Sequence, residues 1–216
     1  MTTQSITTPA LRLSTRALLA AGSVAGPLFL GVGVAQGLSR EGFDFTRNAI
    51  SQLSLGDLGL IQVAGFLLTG ALVLAAAAGL RRALSGTAGG RWAPRLIGVF
   101  GASFLLAGVF KADAGAGFPA GTPDTPDAAA SMSWHGGVHM VSGMVGYLAL
   151  CAAFFVLARH FAAAGRRGWA VACRVVPLAV LAGFAASAST VLAFTLGAGL
   201  GLLALAAVTA HLANRN

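Results

Sequence analysis

His135 and His139 stand four residues apart at the head of the stretch SWHGGVHMVSGMVGY, residues 133–147. On a helix that spacing puts both imidazoles on one face, one turn apart. Near the start of a helix the positive end of the backbone dipole favours the neutral ring, which is also the form that ligates metal. Asp113, in the segment before this helix, could add a carboxylate. Two neutral histidines and Asp113 around a zinc ion would leave a position for water, and such a site could polarise a carbonyl or activate that water. HxxxH lacks the internal glutamate of HExxH, and no neighbouring cysteine offers a further ligand. If the chain does chemistry, His139 and Asp113 are the catalytic candidates. His139 sits about 6 Å deeper along the helix than His135, and Asp113 could orient it through its other ring nitrogen. Each residue also has a structural role open to it. His139 could be a hydrogen-bonded packing residue, His135 could sit in interfacial water, and Asp57 could cap a helix. Asp113 follows the carboxyl end of a helix, where the dipole opposes a carboxylate, so it needs a compensating partner such as Lys111, Arg47 or a histidine.

The elements that must position these residues are membrane spans. Of 216 residues, 56% are hydrophobic and 9% charged, and the mean hydropathy is +0.81. Stretches of roughly 20 apolar residues fall at 17–38, 58–80, 94–110, 134–157, 171–189 and 191–212, the third short and the last two parted by a turn near 188–190. The fold expected is all-α, a polytopic transmembrane bundle of six helices. Residues 1–16 form an amino-terminal tail, 17–213 a single six-span domain and 214–216 a carboxyl-terminal tail. Small residues at 33–35 could suit a signal-peptide cleavage site, but the apolar stretch before them is longer than usual, so it reads as the first span.

Charge orients the bundle. Every basic residue except Arg40, Arg47 and Lys111 lies in the two tails or in the second and fourth connections, whereas all six acidic residues (Glu41, Asp44, Asp57, Asp113, Asp124, Asp127) lie in the first and third. Both termini are therefore expected in the cytoplasm, with two longer outer loops. The net charge of +8 is this bias, and no nucleic-acid partner is expected, since no recognition motif accompanies it. The span centres hold no Asp, Glu, Lys or Arg, which argues against a charged ion or proton relay. Cys151 and Cys173 read as small buried residues. Glycine-rich runs such as 31–37 and 136–143 suit close helix packing.

The outer loops carry the remaining polar candidates. Within 41–59, Phe45, Ala49, Ile50 and Leu53 recur at helical spacing, predicting a short surface helix started by Asp44 or Thr46, with Asp57 capping the next span. Glycines and prolines in 111–135 predict an irregular, lid-like loop. Ser51, Asn48, Asp57 and His135 join His139 as candidate ligand-binding groups at this end. FTRNAISQLSLGDLG after the first span, GVFKADAGAGFP after the third and the histidine opening SWHGGVH together resemble the DUF998 family of bacterial and archaeal integral membrane proteins, over about residues 17–212. The resemblance implies a six-span or similar bundle and, by the family's name, leaves the activity undefined. It matches the family's polar pattern at Ser51, Asp113, Pro119 and His139, and more loosely at Asp57. His135 has no place in that pattern, and the short turn between the last two spans departs from members with a fuller loop there.

Three functions fit a multi-pass protein of the inner or plasma membrane read this way. One is an outer-facing polar pocket for a lipid or amphipathic small molecule, another a metal-assisted membrane hydrolase, the third a structural or assembly protein. The topology is directly testable. In cells expressing the chain without Cys151 and Cys173, single cysteines near Pro123 should react with an impermeant thiol reagent and those near Gly86 should not; the reverse pattern would invert the orientation.

Overall fold

The computed structural model describes residues 13–123 and 132–216. Most of the amino-terminal tail, and the part of the third connection that holds Asp124 and Asp127, lie outside the described residues. The described chain is all-helical: α1 Thr15–Ser39, a five-residue 3-10 helix η1 Ile50–Ser54, α2 Gly59–Ala83, α3 Ala93–Val109, α4 Trp134–Ala163, α5 Arg167–Ala186 and α6 Val191–Ala213. Five of the helices are long and apolar enough to cross a membrane, and α3, at 17 residues, is shorter. At about 1.5 Å per residue α3 falls short of the roughly 30 Å of hydrocarbon in a bilayer.

Consecutive helices pack side by side, and α1 packs on α6, so the six helices close into a ring in chain order. Between helices in lipid there is little hydrophobic driving force, so association depends on how closely the backbones approach. One glycine stripe of α1 does much of this. A Cβ at Gly22 would lie 2.6 Å from the Ala76 side chain and 2.9 Å from that of Thr209, and one at Gly26 would lie 2.7 Å from the Leu202 carbonyl oxygen. Further along the same stripe, Gly33 and Gly37 receive Ile50 and Phe45 of the first connection.

The alternating helices define two ends. At the arginine end, which carries Arg81, Arg82, Arg91, Arg95, Arg159, Arg166 and Arg167, Leu19, Leu80, Leu150, Phe154 and Leu157 fill the ring's interior and are almost wholly buried. Toward the η1 end the interior becomes aromatic, with Phe29 edge-on to Phe66 and Phe104, each at 5.0 Å between ring centroids. Here Gln36 Nε2 donates to Gln62 Oε1 at 2.8 Å, tying α1 to α2.

The first connection differs from the surface helix expected. Instead of lying on the bundle it tucks into its end: Leu53, Ser54 and Asn48 are fully buried and Ile50 nearly so. Nor does Asp57 cap α2, whose cap residue is Leu58 and makes no side-chain capping bond.

Gly26→Val should open the α1–α6 contact and destabilise the bundle by about 1–3 kcal/mol, the usual cost of overpacking. Gly31→Val, where an added Cβ meets nothing within 4 Å, should be near neutral. Thermal unfolding in detergent compares the two.

Candidate functional site: a cavity beneath the η1 plug

The plug is built from polar side chains that serve backbone. Asp44 Oδ1 accepts from the Thr46 amide at 2.8 Å and the Thr46 hydroxyl at 2.7 Å, turning the chain after α1. These bonds hold the exposed carboxylate below its usual range. Asn48 Oδ1 accepts from the Asp44 amide at 2.9 Å, and its Nδ2 donates toward Gln52 Oε1, Gly115 O and Ala116 O. Gln52 Nε2 in turn donates to the carbonyls of Asp113 and Gly115, both at 3.3 Å. Arg40, just past α1, donates to Leu53 O at 2.6 Å and to Leu55 O, and lies over the Phe118 ring at 4.8 Å. Burial lowers the guanidinium's pKa from its ordinary value, and the charge of Asp57 opposes that shift. The first connection and the start of the third are thereby locked into one cap, and Thr46 O accepts from the Val191 amide at 2.9 Å to fasten it to α6.

The third connection is clamped to α4 at two points. Asp113 accepts from the Ser133 amide at 2.9 Å and the Ser133 hydroxyl at 2.6 Å, and Ser133 is the cap residue of α4. The positive end of α4 compensates the carboxylate that α3 leaves behind. About 9 Å deeper along α4, His139 Nδ1 bonds the Phe110 carbonyl oxygen at 2.8 Å.

Below the plug lies a cavity of about 450 Å³, walled by residues of η1 and of all six helices. Its floor and sides are Phe29, Phe66, Phe104, Tyr147, Phe194 and Leu202, and Ala49, Ile50 and Ser51 form its roof. Among the described residues no Asp, Glu, Lys or Arg contributes to the wall. Polar atoms are few: Ser103 and Ser187 spend their hydroxyls on the Phe100 and Phe184 carbonyls, at 2.7 and 2.6 Å, and Thr195 Oγ1 is buried with no hydrogen-bond partner.

Of the residues singled out by sequence, His139 and Ser51 reach this cavity. Asn48 sits inside the plug and Asp113 at the head of α4. His135 is exposed and stacked on Trp134 at 3.6 Å between centroids. Asp57 is exposed beside Arg40. Among the described residues no three His, Cys, Asp or Glu side chains gather as a metal site. As arranged, both Asp113 oxygens accept from Ser133 while His135 stacks on Trp134. Sequence reasoning missed Arg40 and Gln52, whose partners are carbonyls far along the chain, and also missed the cavity face of α4. That face had a signal, because His139, Met140, Gly143, Met144 and Tyr147 repeat at helical spacing.

A Cβ at Gly136 would lie 2.0 Å from Asp113 Oδ2, so Gly136→Ala should evict the carboxylate and destabilise the fold by about 1–3 kcal/mol. Asp113→Ala removes the clash, so the double variant should lose less than the two single losses combined. Unfolding midpoints of the four proteins check this, and strict additivity would contradict the clamp.

A comparison with curated proteins gives no match, and neither does one with solved structures. With families the outcome is different: the model described as "Protein of unknown function (DUF998)" matches residues 23–213, nearly the whole chain, and the protein is a member of that family.

Proposed function

We propose that the protein binds the apolar part of a lipid or amphipathic small molecule in the cavity beneath the η1 plug, at the outer end of a six-span bundle with both termini in the cytoplasm. The observation that carries the reading is the cavity itself. Its volume lies within the few-hundred to 1,000 Å³ range common to small-molecule sites. Its wall is apolar and uncharged, while a handful of hydroxyls and His139 stand near one end. Protein interiors are normally packed tightly enough that so large an apolar space in a bundle this size calls for an occupant. The orientation is supported by the segregation of charge, with arginines crowding one end and Glu41, Asp44, Asp57 and Asp113 at the other.

Gly143 offers a clean test, because it lines the cavity and an added Cβ there meets nothing within 4 Å. Gly143→Phe should fill the space without disturbing the helices around it. Native mass spectrometry of gently released protein is expected to show a lipid-sized adduct on the parent and a loss of at least about tenfold in occupancy on the variant, corresponding to about 1.4 kcal/mol. A parent without any adduct, or a folded variant that keeps it, would overturn the reading.

A further inference from the structure

The cavity's unspent polar atoms are not scattered. Thr195 lies four residues into α6 and His139 five residues into α4, which puts them about 6 and 8 Å from the same end of the bundle. Ser51, in the roof, makes no side-chain hydrogen bond among the described residues. Below this level the wall is mainly hydrocarbon and aromatic, with Phe29, Phe104, Met144 and Leu202, and the Tyr147 hydroxyl donates to Ala198 O at 3.5 Å. The cavity is thus amphipathic along the bundle axis, with a shallow polar level at the η1 end and an apolar slot beneath it.

His139 gives that polar level a sign. The Phe110 carbonyl can only accept, so Nδ1 carries the hydrogen of their bond. In the neutral ring this leaves Nε2 as an acceptor. No described residue bonds Nε2, and it is not among the buried atoms left without a partner. It therefore keeps accessible surface, although the residue as a whole is only 6% exposed.

One flank of the cavity is bordered by exposed side chains of α4. The buried residues of α5 (Ala170, Cys173, Pro177 and Val180) end six residues before the helix does. Beyond them α5 leans on α6, where a Cβ on Gly183 would lie 2.9 Å from Gly197 Cα. Met140 and Met144 of α4 line the cavity yet are 56% and 55% exposed. A smaller hollow between α4 and α5 shares Met144, Tyr147 and Phe184 with the main cavity. The exposed methionines and this hollow put the cavity's accessible flank between α4 and the far end of α5.

Resting on the binding function proposed above, we infer that the ligand is an uncharged, long-chain lipid whose hydroxyl donates to His139 Nε2 while its chain fills the slot from the α4–α5 side. The missing charge in the wall disfavours a phosphate head, which would be desolvated without a partner. The free acceptor selects a donor.

The test uses the full chain in nanodiscs and a C16 alcohol carrying a chain diazirine, competed by the unlabelled alcohol, its methyl ether and its phosphate monoester. Photolabelling should map to cavity residues such as Met140, Met144 and Leu202. The alcohol should compete about tenfold better than either analogue, roughly what one hydrogen bond to a buried acceptor provides. Equal competition by the ether, or better competition by the phosphate, would overturn the inference while leaving the cavity a lipid site. Failure of every compound to reach it would remove both. His139→Asn supplies an independent arm, since its amide nitrogen can keep the bond to Phe110 O while the Nε2 acceptor disappears. In that variant alcohol and ether should compete within about twofold of each other. A tenfold preference surviving in folded H139N protein would refute the assignment to His139.

Discussion

A chain that stops being helical at the end of a membrane bundle leaves carbonyls and amides that must find partners, because hydrocarbon offers none. In this protein the requirement is met by a few long polar side chains. Arg40 takes two carbonyls at the end of η1, Asn48 reaches Gly115 and Ala116, and Gln52 reaches Asp113 and Gly115. With those bonds made, non-helical chain can be buried, and two connections more than sixty residues apart become one lid. That lid closes the cavity, with Ala49, Ile50 and Ser51 forming the roof over the aromatic floor. A flexible loop in the same place would collapse into the space or leave it open to water.

The same satisfaction of backbone explains the residues that first looked catalytic. Asp113 is drawn to the first turn of α4, where amides lack helical partners and the dipole welcomes negative charge. His139 is held by a carbonyl at the end of α3. Both hold α3 to α4, but they differ in what is left over. Asp113 has a carboxylate engaged by Ser133, whereas His139 retains a second ring nitrogen. A histidine fixed through one nitrogen presents the other in a defined tautomer, as in many sites where imidazole positions a ligand.

Much of this was legible in the chain, and what was not has a physical cause. Helix number and approximate limits followed from apolar stretches, because a bilayer imposes a length. Span four reaches Ala163 rather than 157, since its last turns leave the apolar run while remaining helical. The plug was misread because the spacing of Phe45, Ala49, Ile50 and Leu53 suits a helix lying on a surface as well as a short turn wedged into an interior. Local pattern does not say which side is covered. Asp57 was taken for a cap on residue type alone, yet α2 starts without one. Arg40 gave no sign, because its role depends on carbonyls brought to it by folding. His139 and Ser51 stood out by residue type and position, but the cavity they border is a property of six helices together.

The ring order of the helices has a consequence for how the molecule comes into being. Each helix packs chiefly on its predecessor and successor, so a growing chain can add them one at a time as an open arc. The last contact, in which Gly26 of α1 receives Leu202 of α6, joins segments separated by nearly the whole length of the domain. Without α6 the arc would have a free edge on α1, lined by glycine backbone, and the cavity would be an open groove. When α6 arrives, the ring closes around whatever occupies that groove.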